Sequence, residues 1–347
     1  MKKIKTNNLT SLKRGIIINI LLFVLLLVIF LIGCNVGKYH MTVLEVLKTL
    51  IGKGDKYSNL ALFSFRLPRL CLALLVGIGM GVSGVVMQNL LHNDLASPGT
   101  LGVSDGSGLF VILYVALVKS NNSNPLMLSI LALIGGLLSA AIIFILSYRK
   151  KKSISPTRLI MTGVACSAAY SAIGTIFMYS LDRNQLEFLQ RWQSGELWGT
   201  DWNYIIILFI WLSVFGGAIY GKSYTLNAIN IGYDVAKGIG VNTKRDFVIL
   251  AIGAIAISSA SVAFGGNFFF LGLIGPHIAK KLVGVDTRVL FLASGTCSAI
   301  IILVADMLVM GVDAFANIPT GIFVSILSVP YFIYLLIKKE YLWKIVL

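Results

Sequence analysis

FVILAIGAIAISSASVAFGGNFFFLGLIGPHIA, residues Phe247–Ala279, contains no Asp, Glu, Lys or Arg. A bilayer's hydrocarbon core is about 30 Å thick, and a helix needs about 20 apolar residues to cross it. The stretch is too long for one crossing. Gly265-Gly266 and Gly275-Pro276 interrupt it, so it reads as a full helix, a break and a shorter helix. Working outward, similar apolar runs recur at Ile16–Gly33, Leu70–Leu91, Ala96–Val118, Leu126–Tyr148, Leu159–Leu181, Asn203–Gly221, Val289–Met310 and Ile318–Ile337. The fold class is therefore all-α, an integral membrane protein of about ten transmembrane helices in a single domain, 1–347.

Composition agrees. Of 347 residues 57% are hydrophobic and only 12% charged, against roughly 25% charged in soluble domains. The net charge of +15 does not point to nucleic acid. Its blocks, such as Arg149, Lys150, Lys151 and Lys152, lie between apolar runs, where cytoplasmic loops carry them. With ten helices and the N-terminus inside, 20 of the 29 Lys and Arg face inward. Both termini are thus expected in the cytoplasm of a cell-membrane protein, with residues 1–15 as the inner N-terminus and 16–33 as the first helix. Of the nine outer basic residues, six lie between Cys34 and Arg69, Arg66 and Arg69 among them. The basic N-terminus before Ile16 and the string Leu31-Ile32-Gly33-Cys34 resemble a lipoprotein signal. An uncleaved first helix is the simpler reading, because every later run also spans.

Shorter signals sit on this frame. Met41–Ile51 places Val43, Leu44, Val46, Leu47 and Leu50 on one helical face and, at 11 residues, is too short to span, so it is expected along the outer surface. Gly77/Gly81, Gly102/Gly106 and Gly217/Gly221 are spaced for close helix packing. Gly79-x-Gly81-x-x-Gly84 spells a dinucleotide fingerprint, but inside a spanning run with no preceding strand. Cys34, Cys71, Cys166 and Cys297 are scattered packing residues, and neither they nor His40, His92 and His277 have metal-ligand spacing.

Four stretches in register carry a resemblance: RLPR (Arg66–Arg69), SGVVMQNLLHNDLASPGTLGVSDG (Ser83–Gly106), Leu226–Asn242 with INIGYDVAKGIGVN at its core, and FGGNFFFLGLIGPHIAKKLVGVDTR (Phe264–Arg288), followed by Ala305-Asp306 and IPTGI (Ile318–Ile322). Across residues 66–337 the chain resembles the permeases of importers for siderophores, haem and vitamin B12, the type II ATP-binding-cassette (ABC) importers. The resemblance implies a permease that is not itself an enzyme and holds no cofactor. ATP and Mg would be bound by separate ATPase subunits. An extracytoplasmic substrate-binding protein and a second permease copy or paralogue would be the other partners, with a ferric siderophore or related chelate as cargo and haem or cobalamin as alternatives.

It also implies residue roles. Arg66 and Arg69 match arginines that meet acidic residues of the binding protein; a third is replaced here by Met310. Gly232, Asp234, Ala236 and Gly240 match the two short helices, residues 226–242, that couple to the ATPase. Asp234 is placed to cap the second of them, and Tyr233 stands where a second acid is common. Asn93, Leu95 and Pro98-Gly99 match one inner gate loop, and Ser155, Pro156 and Thr157 another. Trp192, Gly195 and Trp202 match the outer segment before the sixth helix. Thr162, Ala165, Ser167 and Ser171 are placed as pathway lining. Asp105 and Asp306 lie inside spanning runs, where charge is costly. Each reads either as a structural hydrogen-bonding group or as the coupling site of an ion-driven secondary transporter, the alternative class. A membrane-embedded enzyme would need catalytic groups clustered at one depth, and these residues are too sparse for that.

Overall fold

The computed structural model describes residues 2–37, 39, 41–118, 125–148, 155–198 and 200–346. His40 and the basic block Arg149–Lys152 lie outside them. Among the described residues the structure is helical throughout. In order the helices are α1 (Lys2–Gly33), α2 (Val43–Leu50), α3 (Lys56–Asn59), α4 (Leu67–Leu91), α5 (Val103–Val118), α6 (Pro125–Ser147), α7 (Pro156–Met178), α8 (Arg183–Gln193), α9 (Trp202–Gly221), α10 (Ser223–Ile231), α11 (Tyr233–Gly238), α12 (Thr243–Gly265), α13 (Leu271–Val283), α14 (Thr287–Gly311) and α15 (Thr320–Val346).

Among the described residues seven helices are long and apolar enough to cross a membrane, with α5 and the Thr320–Tyr334 part of α15 shorter but apolar. With α13 these make the ten expected segments in the expected order. α13, at 13 residues and about 1.5 Å per residue, reaches only part-way across.

The uncharged stretch divides as expected into a full helix, a break and a shorter helix, and Gly265-Gly266 alone marks the break. α12 ends at Gly265, and Gly266, at φ 86°, redirects the chain. Gly275-Pro276 does not interrupt anything: Pro276 lies inside α13. It leaves the Gly272 carbonyl without a donor four residues on, and that carbonyl turns onto α4. A Cβ on Gly84 would lie 2.1 Å from it. α5 also starts later than the apolar run beginning at Ala96. Pro98 opens a single 3-10 turn (Gly99–Leu101), and Gly102, at φ 77°, closes it before the α-helix can begin.

α4 is the central element, packed against α12, α13 and α14. The backbone approaches that its glycines permit explain why. A Cβ on Gly77 would lie 2.5 Å from the Ala299 backbone, and one on Gly81 2.5 Å from the Ser294 carbonyl. The apparent dinucleotide fingerprint is thus a packing seam. Gly106 similarly meets Ser139 of α6. The third pair differs: a Cβ on Gly217 or Gly221 would meet nothing within 4 Å, so their spacing serves no packing among the described residues.

α2 carries the expected amphipathic pattern. Thr42 and Glu45 form a reciprocal capping box at its start, which satisfies two otherwise unpaired backbone donors.

Candidate functional site

On the cytoplasmic side of the assumed topology, α9 passes into α10, then Gly232, then α11. Gly232 adopts φ 148°, ψ 144°, a region open in practice only to glycine, so the two short helices turn sharply about it. Gly240, at φ 89°, turns the chain again towards α12. The pair sits where the sequence placed coupling helices. Ala236 is buried and anchors α11. Asp234 does not cap: the residue before α11 is Gly232, and no side chain caps the helix. Asp234 instead lies in the first turn, fully exposed, 3.5 Å from Lys237. A first-turn carboxylate still complements the helix N-terminus.

The expected gate loop follows α4 directly. Asn93 Oδ1 accepts from the Leu95 amide at 3.0 Å, and Ser97 and Thr100 exchange hydrogen bonds, so the loop is a sequence of fixed turns. Leu95 is exposed. Lys280 of α13 reaches Asp94 at 2.8 Å. His92 Nε2 bonds the Ile229 carbonyl at 2.9 Å, and the Tyr233 hydroxyl donates to the Leu90 carbonyl at 2.5 Å. The loop after α4, the helices α10 and α11, and α13 therefore share one contact region; the last two bonds end on backbone carbonyls and so leave no signal in the sequence. Ser155 stands at the start of α7 without a side-chain cap bond, Pro156 takes the first helical position, and Thr157 is exposed.

α7 has few buried residues, Leu159, Gly163 and Gly174 among them. Ala165 and Ser171 lie on its open side, and Thr162 and Ser167 are half-buried. Ser167 lies beside the turn that precedes α5, its hydroxyl 2.9 Å from where a Cβ on Gly102 would sit.

The outer side centres on two arginines, and neither is a free surface charge. Arg66, only 7% exposed, donates to the Cys34 carbonyl at 2.8 Å and to the Tyr39 carbonyl. It closes the connection between α1 and α2. Arg69 grips Asp306 of α14 with Nε and Nη2 at 2.8–3.1 Å. The Thr320 hydroxyl of α15 donates to the same carboxylate at 2.9 Å. Asp306 is 2% exposed, so its burial is matched by a bidentate cation and a hydroxyl. The structural reading of Asp306 accounts for its surroundings; Asp105 is half-buried in the first turn of α5.

Trp192 is buried at the end of α8. Its carbonyl accepts from Asn267 at 3.3 Å, and the Gly195 carbonyl accepts from Gly321 at 2.8 Å. Trp202 Nε1 donates to Phe63. The segment after α8 thereby threads between the α12–α13 break and the start of α15. Beside it lies a cavity of about 290 Å³ lined by Gln193, Asn267, Phe269, Phe270 and Ser325, among others. Irregular backbone at membrane depth is tolerated where it is buried in protein or lines such a space.

Two strings that imitate catalytic motifs are disposed of by their setting. Gly216–Ser223 spells GxxxxGKS, yet it is the end of spanning helix α9 and the start of α10, with no strand before it, and Lys222 pairs with Asp246 at 2.5 Å. Gly102–Gly106 spells GxSxG, but Ser104 is buried in the first turn of α5 rather than raised on a strand-to-helix elbow. Among the described residues no three His, Cys, Asp or Glu side chains gather as a metal-binding group.

Comparison with known proteins gives a consistent picture. The profile of the FecCD transport family matches residues 25–338. The iron(3+)-hydroxamate import system permease protein FhuG of Bacillus subtilis (strain 168) is 35% identical over 336 residues, covering 95% of this chain and 99% of that protein. The iron-uptake system permease protein FeuC of the same organism is 31% identical, covering 92% and 97%. Among solved structures, a metal-chelate type ABC transporter in an inward-facing conformation superimposes with a TM-score of 0.80 at 25% identity, covering 93% of this chain and 99% of that one. PsaBC from Streptococcus pneumoniae, at 20% identity, shares the fold with a TM-score of 0.57.

Proposed function

Because the chain belongs to the FecCD transport family, we propose that it carries a ferric siderophore or a similar iron chelate across the cell membrane, as the permease of an ABC importer. The permease role is shared by its relatives. The observation that carries the cargo is the end-to-end match to the hydroxamate-import permease, with 99% of that protein covered. ATP hydrolysis is assigned to separate ATPase subunits, which would meet α10 and α11. The geometry supports this: two short helices about Gly232 bond to the end of α4, immediately before the gate loop. A coupling element of this kind has no role in an ion-driven carrier.

The binding protein is assigned to the opposite side. Both arginines have partners inside the chain, but Arg66 is 7% exposed and the Arg69 side chain 20% exposed, so Arg69 is the arginine assigned to docking. Arg66 contributes by holding the rim around it in shape. A second permease copy or a paralogue would cover the open side of α7. Both termini are placed in the cytoplasm on the Lys and Arg bias.

The test is uptake of radiolabelled iron by cells lacking this chain and complemented with it, supplied as ferric hydroxamate, ferric citrate, haem or, with labelled cobalt, cobalamin. Restored uptake of a ferric chelate that excess haem and cobalamin do not compete supports the reading. Restoration of haem or cobalamin uptake alone overturns the cargo.

A further inference from the structure

The contact between α4 and the α10–α11 turn is a reciprocal one. α4 ends on His92, at φ 47°, ψ 38°, a left-handed conformation uncommon for a residue other than glycine. A helix end also leaves carbonyls without intrahelical donors. Leu90 supplies one at the end of α4, and it accepts from Tyr233, the first residue of α11. The Ile229 carbonyl, in the last turn of α10, accepts from the Gly232 amide at 3.0 Å and takes a second bond from His92. The two rings lie edge to face, 5.2 Å between centroids and 60° apart. Each element thus offers an aromatic donor to the other's helix-end carbonyl. Burial pushes the Tyr233 phenol up to about 12, so it remains a protonated donor at physiological pH.

Immediately beyond His92 the chain enters the Asn93–Pro98 loop, held from its far side by the Asp94–Lys280 pair to α13. The loop is therefore gripped between the coupling helices and the half-crossing helix. Resting on the permease reading, we propose that His92 and Tyr233 form a latch through which movement of α10 and α11 reaches the inner gate loop. They are positioning residues: they touch neither nucleotide nor cargo, and they make the gate follow the ATPase.

The latch predicts uncoupling rather than disassembly. The whole importer (permease, ATPase and binding protein) is reconstituted in proteoliposomes, and ATP hydrolysed per chelate imported is measured together with co-purification of the ATPase. Tyr233→Phe keeps the ring and removes the hydroxyl; His92→Phe keeps a ring and removes the nitrogen donor; His92→Gln restores a donor. Tyr233→Phe and His92→Phe should each raise ATP spent per chelate about five-fold, the scale of one hydrogen bond, with the ATPase still co-purifying. The double variant should be little worse than either alone, and His92→Gln should return towards wild type. An unchanged ratio in both single variants overturns the latch. Loss of the ATPase from Tyr233→Phe also overturns it, because Tyr233 would then be a direct ATPase contact. A wild-type complex that hydrolyses ATP without importing any chelate would instead count against the permease reading, so the two failures are distinguishable.

Discussion

Arg69 and Asp306 are 237 positions apart in the chain and 2.8 Å apart in the fold. The sequence showed each as an oddity: an arginine on the outer side, against the positive-inside rule, and a carboxylate within an apolar run. It could not show that they answer one another, because pairing at that separation depends on how α4 and α14 pack. The partners of Arg66 were hidden for a similar reason: its acceptors are backbone carbonyls, which leave no trace in residue identity. The pairing has a measurable consequence. Asp306→Ala strands a largely buried guanidinium and should cost about 3 kcal/mol, the low end for breaking a buried pair, read as a lower melting temperature of the purified permease. Arg69→Met with Asp306→Leu should recover most of that loss, since an apolar pair of similar volume needs no partner. If Asp306→Ala melts as wild type does, the pair has no structural weight.

At the scale of elements, the ten apolar segments were legible because length and apolarity are local signals, while the two short helices α10 and α11 were indicated by the family resemblance. Positions of breaks were less legible. Gly275-Pro276 looks like a stop, yet α13 runs through it, with the freed Gly272 carbonyl lying against Gly84. The three GxxxG pairs look alike as strings and differ in the fold. Gly84→Ala would force a Cβ to 2.1 Å from a carbonyl oxygen, and overpacking of this kind costs about 1–3 kcal/mol. Gly217→Ala meets open space and should leave the monomer's stability unchanged or slightly improved. Thermal melts of the two variants side by side check the contrast, and equal destabilisation would contradict the packing seam. Gly232→Ala tests a different property of glycine: at φ 148° any side chain is strained. Uptake should fall at least ten-fold while membrane insertion is retained, and normal uptake would remove the turn from the coupling account.

For the whole molecule, orientation follows from charge alone, since a bundle of helices does not say which end faces in. Tyr179, 89% exposed just after α7, and Ile239, 67% exposed just after α11, lie at opposite ends of that assignment. In a cysteine-free background, Tyr179→Cys should react with a membrane-impermeant maleimide applied to intact cells, and Ile239→Cys should react only after lysis. The reverse pattern would invert the topology and move the coupling helices out of reach of any cytoplasmic ATPase. What remains is the driving force, on which the assignment of α10, α11 and the gate loop depends. The most direct measurement is ferric-chelate uptake into proteoliposomes holding the permease with its ATPase and binding protein, with ATP supplied or withheld and with or without an imposed proton or sodium gradient. The account predicts accumulation that requires ATP and both partners and is indifferent to the gradients; accumulation by the permease alone, driven by a gradient without ATP, would contradict it.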